Sequence, residues 1–330
     1  MKLKFQFLCI LMPLISCERH PTDTIHRNPD KEQLLSNYFV TSICFDSFGT
    51  AWLGTFKQGL IKYDDQDMIV YDDLNSPIND TMVIYDIEID SKGNVWIATD
   101  GLIKFDGDEF ILYNSSNSDV PEDFVSCLEI DSKDNVWFSS CRFRKGGLVK
   151  FDGQVFTAFT PENSDMPANM ISSMVIDQND NLWIAMSEVV NDAFLVKITG
   201  NEWIIYDGDD LGFRPYYLGD IALSSENELY VTVDYSLSST YFNKGPKLFS
   251  FNGQKTSTFS NDSIRTIKTL EIDHKDKLYV CTYDDLILID GDEWKKVSVD
   301  FSEKGLFSIK ESPEKDIWVG TGGGIFILDI

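Results

Sequence analysis

The sequence predicts an all-β fold, a seven-bladed β-propeller of four-stranded antiparallel blades. The first observation behind this prediction is a repeat in which an acidic or small polar residue stands six positions before an aromatic residue. The second is a series of Asp-Gly and Asn-Gly dipeptides, which suit two-residue hairpin turns. The repeat occurs seven times, at intervals of 39 to 49 residues. Its copies are Asp46/Trp52, Asp90/Trp96, Asp131/Trp137, Asp177/Trp183, Ser224/Tyr230, Asp273/Tyr279 and Ser312/Trp318.

Each copy of the repeat is typical of four short strands, A to D. In the second copy we expect strand A at 87–89, strand B at 95–99, strand C at 101–105 and strand D at 109–113, with Asp106-Gly107 turning C into D. The aromatic residue occupies the same place on every strand B, which is expected of packing between blades rather than of a ligand cage. The repeated acidic residue is expected to cap the A–B turn through its carboxylate.

The last copy of the repeat has strands A, B and C but no strand D, since Ile330 follows the third strand. A propeller with an open edge would be prone to aggregate. Counting back from Asp46 by the spacing of the intact repeats predicts that an N-terminal strand at Thr24–Arg27 closes blade seven beside residues 324–329. The alternative is that residues 18–37 are only a flexible tether.

The first residues have the pattern of a bacterial lipoprotein signal. Lys2 and Lys4 precede a short apolar stretch that ends in Leu14-Ile15-Ser16-Cys17, which resembles a lipobox. We therefore predict a signal peptide at 1–16, lipidation of Cys17, a tether at 17–23 and the propeller at 24–330. The expected location is the outer membrane, facing the periplasm or the cell surface, with the lipid as the one contact with the membrane. An ordinary secretory signal with an incidental cysteine is the alternative.

The net charge and the spacing of the cysteines limit which partners and metal sites we expect. The formal net charge of −26 repels nucleic acid and anionic lipid headgroups, so neither is an expected partner. Cys44, Cys127, Cys141 and Cys281 show no CxxC pair and no histidine at zinc-ligand spacing. We expect them to be mainly buried free thiols, and we expect no metal, no cofactor and a monomer.

A family resemblance follows from the repeat itself. Asp46-Ser-Phe-Gly-Thr-Ala-Trp-Leu-Gly-Thr55, followed by Gly59-Leu60-Ile61-Lys62-Tyr63-Asp64, resembles the two-component regulator propeller repeat, as do the segments around Trp96 and Trp318. The resemblance covers roughly residues 38 to 330 and implies the periplasmic sensor part of a hybrid histidine kinase. Since the sequence has no kinase or transmembrane segment, it looks like a stand-alone, Bacteroidetes-like lipoprotein form. The resemblance then implies ligand recognition but not signalling.

The sequence favours a non-catalytic binding protein whose ligand is a small molecule, a glycan or an envelope protein. The alternative is a lyase or hydrolase acting on a polysaccharide or cyclic ester, because propellers that resemble virginiamycin B lyase have similar turns. That chemistry usually needs a general base, often a histidine. The three histidines are His20, His26 and His274, and none falls on a long loop. We therefore predict no catalytic residues; a mechanism based on tyrosine and arginine or on carboxylates is the alternative that the sequence leaves open.

Chain direction predicts which face of the propeller binds. A–B and C–D turns lie on one face, while the longer B–C and D–A connections lie on the other. Three neighbouring blades have long B–C connections, at 141–146, 187–193 and 234–246, beside a D–A connection at 207–217. These loops carry basic and aromatic residues suited to an acidic or stacking ligand, such as a uronic-acid glycan. The candidate binding residues are Arg142, Arg144, Lys145, Arg214, Tyr216, Tyr217, Tyr235, Tyr241, Phe242 and Lys244. The alternative is that they only neutralise nearby carboxylates and fill the loop cores.

Overall fold

The computed structural model confirms a seven-bladed β-propeller of four-stranded antiparallel sheets. It describes residues 32–64, 67–142, 145–187, 193–234, 245–261, 264, 266–291, 293–299, 301 and 305–329. No helix within these ranges is long and apolar enough to cross a bilayer.

The first strand among the described residues is β1 (Glu32–Leu34), and blades 1 to 3 follow in sequence order. Blade 1 contains β2 (Val40–Phe45), β3 (Ala51–Thr55), β4 (Leu60–Tyr63) and β5 (Met68–Tyr71). Blade 2 contains β6 (Asp86–Ile89), β7 (Val95–Thr99), β8 (Gly101–Phe105) and β9 (Phe110–Tyr113). Blade 3 contains β10 (Leu128–Ile130), β11 (Val136–Arg142), β12 (Lys145–Phe151) and β13 (Phe156–Phe159).

Blades 4 to 7 repeat the same order of strands. Blade 4 contains β14 (Met170–Ile176), β15 (Leu182–Ser187), β16 (Ala193–Thr199) and β17 (Glu202–Tyr206), followed by the short helix α1 (Gly208–Leu211). Blade 5 contains β18 (Tyr217–Leu223), β19 (Leu229–Asp234), β20 (Leu248–Phe251) and β21 (Thr256–Phe259). Blade 6 contains β22 (Thr269–Ile272), β23 (Leu278–Cys281), β24 (Leu286–Asp290) and β25 (Glu293–Lys296). Blade 7 contains β26 (Leu306–Glu311), β27 (Ile317–Thr321) and β28 (Gly324–Leu328).

Strand β1 closes the ring as the outer strand of blade 7. It pairs antiparallel with β28, with Leu34 opposite Ile325. An N-terminal closing strand is therefore confirmed, but its predicted position is corrected, and Thr24–Arg27 lie outside the described residues. The predicted position came from counting back from Asp46 by the spacing of the other repeats. That spacing does not apply here, because the connection from β1 to β2 is much shorter than the D–A connections of the other blades.

The repeated acidic residue caps the A–B turn, as the sequence predicts. In blade 4, Oδ1 of Asp177 accepts the backbone N–H groups of Asn179 (2.9 Å) and Asn181 (3.0 Å). Oδ2 of the same residue accepts the indole N–H of Trp183 at 3.0 Å. Although burial opposes ionisation, these hydrogen bonds lower the pKa of Asp177. The acidic residue of this Asp/Trp pair thus fixes both the A–B turn and the aromatic ring.

The strand B aromatic residues pack between blades, which confirms the second structural prediction. Trp96 of blade 2 contacts Phe151 of blade 3 edge-on, with ring centroids 5.9 Å apart. Trp183 of blade 4 makes the equivalent contact with Phe251 of blade 5, at 6.3 Å. Because every blade buries its aromatic residue against the next, closure of the ring completes the core.

Polar contacts between neighbouring A–B turns add a second connection between blades. The N–H of Ser91 donates to Asp134 of the next blade at 3.0 Å, and Ser132 and Ser225 bond Asp180 and Asp276 in the same way. Hydrogen bonds from Lys92 and Ser91 lower the pKa of Asp134 to about 2. These acids stand at a turn position with positive φ, which aims their carboxylates at the preceding blade.

Candidate ligand site at the channel mouth

The two faces of the ring differ in what they present. We call the side of the A–B and C–D turns the turn face, and the side of the B–C and D–A connections the loop face. Strands A run from the loop face to the turn face and surround the centre of the ring. Between them lies a channel of about 620 Å³.

Acidic side chains line this channel in two tiers. Asp86 and Asp220 stand four positions before the anchors of their repeats, nearer the loop face. Glu88, Glu129 and Glu271 stand two positions before the anchors, nearer the turn face. A spacing of two keeps side chains on one side of a strand, so both tiers face the channel. In blade 7 the lower tier carries Lys310 instead of an acid.

The upper carboxylates are held by the blade that follows. Asp86 accepts the backbone N–H of Leu128 at 2.9 Å, and Asp220 accepts that of Leu270 at 3.1 Å. These N–H groups lie on the inner edge of strand A, so the acids provide partners at an edge of the sheet. Burial nevertheless raises the pKa of Asp86 to about 6.

The lower tier gathers three glutamates around one lysine. Burial raises the pKa of Glu88 to about 7, and burial together with the neighbouring Glu88 and Asp86 raises the pKa of Glu129. Lys310 Nζ lies 4.0 Å from Glu271 Oε2, and Glu271 and the other glutamates raise the pKa of Lys310. The Lys310 side chain is 43% exposed, so solvent in the channel reaches it. Once the three glutamates ionise, their combined negative charge exceeds the single positive charge of Lys310.

Aromatic residues surround the loop-face mouth over blades 6, 7, 1, 2 and 3. The Phe39 ring centroid lies 4.4 Å from that of Phe307 and 5.2 Å from that of Phe56. Tyr283 adds an edge contact to Phe307 at 6.5 Å. We call the set the aromatic crescent; it consists of Tyr283, Phe307, Phe39, Phe56, Tyr85 and Phe124, the last two of which contact each other at 5.1 Å.

The crescent combines exposure with a rigid backbone. Tyr283, Phe56 and Tyr85 are 56%, 42% and 38% exposed, which is unusual for large aromatic residues. Backbone bridges join Phe56 to Val83 and Asp100 to Phe124, and they link B–C connections to neighbouring D–A connections. Lys57 Nζ lies 5.4 Å from the Phe56 ring centroid, so this ring already accepts a cation on one face. The mouth is therefore a preformed, exposed aromatic rim over an acidic channel.

A family model supports the resemblance seen in the repeats. The model described as the two-component regulator propeller matches residues 33–57 and 78–101. Blades 1 and 2 therefore carry recognisable two-component regulator propeller repeats. Among curated proteins, no sequence matches this chain significantly.

Solved structures share the architecture of this repeat protein at low identity. The extracellular domain of BT4673 from B. thetaiotaomicron, assigned to a one-component system, is 18% identical, with a TM-score of 0.72 over 92% of this chain and 43% of that one. The extracellular domain of BT3049 from the same organism, assigned to a hybrid two-component system, is 17% identical, with a TM-score of 0.69 over 92% and 41%. The chain thus spans less than half the length of these regulator domains.

A virginiamycin B lyase from Staphylococcus aureus is similar over nearly its whole length. The structure is that of a catalytically inactive histidine-to-alanine variant with quinupristin. It is 13% identical, with a TM-score of 0.70 over 91% of this chain and 99% of that one. At such identities the three likenesses establish the shared fold.

The basic sector predicted from the sequence lies only partly within the residues that the structure describes. Arg142 is exposed on β11, where it stands opposite Lys145 of β12. Arg214 Nη2 lies 3.9 Å from Asp209 Oδ1, so this arginine has a carboxylate neighbour in the same connection. The remaining predicted binding residues that lie outside the described ranges are Arg144, Tyr235, Tyr241, Phe242 and Lys244, and Cys17 lies outside them too.

The two described tyrosines of that sector separate. Tyr216 packs against the apolar cluster between blades 4 and 5. Tyr217 instead lines the channel, and burial raises its pKa. The positive charge of Arg142 acts on Tyr85, whose pKa is raised mainly by burial. The described part of the basic sector therefore adjoins the crescent at Tyr85.

Three described cysteines are buried free thiols, as expected from the sequence. They are Cys44, Cys127 and Cys281, whereas Cys141 is only partly buried. Burial raises the pKa of Cys127 to about 12, so its reactive thiolate form is scarce at neutral pH.

Asp273, His274 and Glu311 form the group of described residues whose geometry could hold a metal ion, with ligand atoms within 4.8 Å of one another. This group lies on the turn face. Contacts within the group explain why these side chains lie together without a metal ion. The Glu311 carboxylate accepts the backbone N–H of His274 at 3.0 Å and also contacts Nδ1 of the His274 ring. Lys315 Nζ lies 3.7 Å from Glu311, which disfavours an added cation.

Sequence reasoning missed the crescent because its members come from five blades and from short connections. A register signal was nevertheless present. Phe39, Phe124 and Tyr217 stand seven positions before their anchors, while Tyr85 and Phe307 stand five positions before theirs. Aligning the repeats on the anchors would have placed these rings near one end of strand A.

Proposed function

We propose that this chain is a non-catalytic binding protein that takes its ligand at the loop-face mouth of the channel. The observation that carries the proposal is the aromatic crescent, an exposed and rigid apolar rim around a recessed polar channel. Exposed aromatic patches of this kind usually mark recognition surfaces. The extracellular domains of BT4673 and BT3049, which share the fold, support an extracytoplasmic location.

The alternative of a lyase has less support from the site. His274 is the histidine found among the described residues, and it lies on the turn face, away from the mouth. The described part of the mouth is lined by aromatic residues and carboxylates, without an imidazole base. The likeness to virginiamycin B lyase is one of fold. The uronic-acid hypothesis for the basic sector stays a prediction.

Removing two exposed rings of the crescent should weaken ligand binding strongly without unfolding the protein. A ligand present at about 100 times its Kd should raise the Tm of the full chain by about 5 °C. Replacing both Phe56 and Tyr283 with serine should weaken binding about 100-fold, because each truncated aromatic anchor costs roughly 1–2 kcal/mol. The Tm shift should then fall to about 1 °C. Thermal unfolding with a panel of oligosaccharides and peptides measures this.

The control for this experiment is Phe48→Ser. Phe48 is 93% exposed on the A–B turn of blade 1, on the opposite face. This variant should keep the full Tm shift with every ligand that stabilises the wild type. A full shift in the Phe56/Tyr283 double variant would place the ligand elsewhere and contradict the proposal.

We further propose that the propeller is held at the bacterial envelope by lipid on Cys17. The support is the lipobox-like segment Leu14-Ile15-Ser16-Cys17 after a short apolar stretch. In cells fed a radiolabelled fatty acid, Cys17→Ala should lose all label and leave the membrane fraction, because the diacylated anchor can no longer form. Cys9→Ala, within the same segment, should keep both. Labelled, membrane-bound Cys17→Ala protein would refute the anchor.

A further inference from the structure

We propose that the channel mouth selects a polypeptide segment that places a lysine or arginine side chain in the channel and a neighbouring apolar or aromatic side chain on the crescent. The inference rests on the proposed function and adds the chemical class of the ligand. Two independent features support it: the sign of the charge that lines the channel, and the aromatic rim directly above that charge.

The lining charge favours a cation. Six carboxylates line the channel, those of Asp86, Glu88, Glu129, Asp220, Asp234 and Glu271, against the lysines Lys268 and Lys310. Lys310 is the positive charge that acts on all three lower glutamates. An anionic ligand would therefore be repelled from the channel, and the whole chain, with a net charge of −26, has the same preference.

The upper carboxylates are preorganised to receive this charge. Asp220 accepts hydrogen bonds from Ser173 (2.9 Å), Thr269 (2.6 Å) and the N–H of Leu270 (3.1 Å), which hold it against the channel wall. Asp86 accepts the N–H of Ile87 on one carboxylate oxygen and that of Leu128 on the other. Each oxygen has two lone pairs, so Asp86 keeps acceptor capacity. The ligand need not order these groups, which lowers the cost of binding.

The depth of the site matches a long side chain. The crescent residues near the start of strands A stand five to seven positions before their anchors and the upper acids stand four before theirs, so one to three residues, roughly 3 to 10 Å along a strand, separate the two levels. A lysine or arginine that enters over the crescent brings its charge towards Asp86 and Asp220 while its methylene groups pass the aromatic rings. Those ring faces also attract an organic cation.

A divalent metal ion would fit this arrangement less well. Hard cations collect six or more oxygen ligands, and here the ammonium group of Lys310 already lies among the lower glutamates. A metal also makes no use of the aromatic crescent. The combination of apolar rim and acidic channel therefore favours a peptide with a basic and an apolar side chain next to each other.

The test is a peptide array with random hexapeptides that contain a fixed central pair, probed with the full chain. The pairs are Trp-Lys, Trp-acetyllysine and Trp-Glu. We expect the Trp-Lys spots to bind at least about tenfold more strongly than the other two. At pH 8, replacing both Glu88 and Glu129 with glutamine should remove most of this preference, because the lower tier then loses the negative charge that attracts the cation towards Asp86 and Asp220, without a change in shape. Glu109→Gln makes the same chemical change on an exposed hairpin of blade 2 and should leave the preference intact.

The pH dependence gives a second readout on the same array. Glu88 faces Cys44, Asp86, Glu129, Glu271 and Lys310. The pKa of Glu88 is about 7 and that of Asp86 about 6, so both carboxyl groups are mostly protonated and uncharged below pH 6. Binding of Trp-Lys peptides should therefore increase from pH 6 to pH 8, as these acids lose their protons. A flat or falling profile would count against entry of the cation into the channel.

The outcomes separate this inference from the proposed function. Peptides or glycans that bind through Phe56 and Tyr283 without preference for a basic residue would overturn the inference and leave the binding mouth in place. Stabilisation by calcium chloride alone that is lost in the Glu88/Glu129 double variant would also overturn it, since the channel would then be a metal site. Ligands that bind the Phe56/Tyr283 double variant as tightly as the wild type would refute both.

Discussion

Replacing Lys310 with methionine should destabilise the propeller by about 2 kcal/mol at pH 8 and by much less at pH 5. Removing one partner of a fully buried ion pair costs about 3–5 kcal/mol. The loss here is smaller because water in the channel reaches the Lys310 side chain and screens the charges. Urea unfolding at both pH values, followed by tryptophan fluorescence, measures the difference.

The pH dependence of this variant follows from the direction of the pKa shifts. Glu88 has a pKa raised by burial to about 7, above the ordinary value of 4.5, so the folded state binds its proton more tightly than the unfolded state. The stability from this group is present at low pH and is lost as the pH rises from about 4.5 through 7. Without Lys310 the ionised glutamates repel one another more strongly. The difference in free energy of unfolding between the variant and the wild type is therefore largest above pH 7.

The control is Lys255→Met, which removes a lysine on an exposed hairpin of blade 5. It should change the free energy of unfolding by less than about 0.5 kcal/mol at either pH. If Lys310→Met loses the same free energy at pH 5 and pH 8, packing of the lysine stem and not its charge is what stabilises the channel.

A chain that begins at Leu35 should melt about 10 °C lower than one that begins at Lys31 and should aggregate as its concentration rises. The shorter chain lacks β1, and with it the backbone pairing to β28 and the burial of Leu34. A buried leucine contributes about 2–3 kcal/mol and each backbone hydrogen bond about 1 kcal/mol, which together correspond to this drop. The exposed edge of β28 is then free to pair with another chain.

Calorimetry and light scattering of the two truncated chains provide the measurement. Leu34→Ser in the longer chain offers a milder form of the same change, and Gln33→Ser is its exposed neighbour, with one side-chain bond to the Gly323 carbonyl. Leu34→Ser should lower the Tm by several degrees and Gln33→Ser by one or two. Equal melting of the two truncated chains would show that β1 does not close the ring.

Local patterns were enough to predict the blades and their internal supports. The anchor pair Asp177/Trp183 could be read from spacing alone because its acid, turn and ring lie within seven residues, and the structure shows them bonded. The need for a closing strand also followed from the sequence, since blade seven lacked its fourth strand. The position of that strand could not be predicted, because the β1–β2 connection is shorter than the D–A connections of the other repeats.

The sequence by itself determined the fold class, the number of blades and the residues that cap and pack each repeat, because these depend on contacts between residues close in the chain. Only the tertiary structure decided where the acids of strands A and the aromatic residues of the connections meet. Glu88, Glu129 and Lys310 come from three different blades, and the Phe39–Phe307 contact spans almost the whole described chain. Such groups become neighbours only when the seven strands A converge and the ring closes, and that convergence creates both the acidic channel and its aromatic rim.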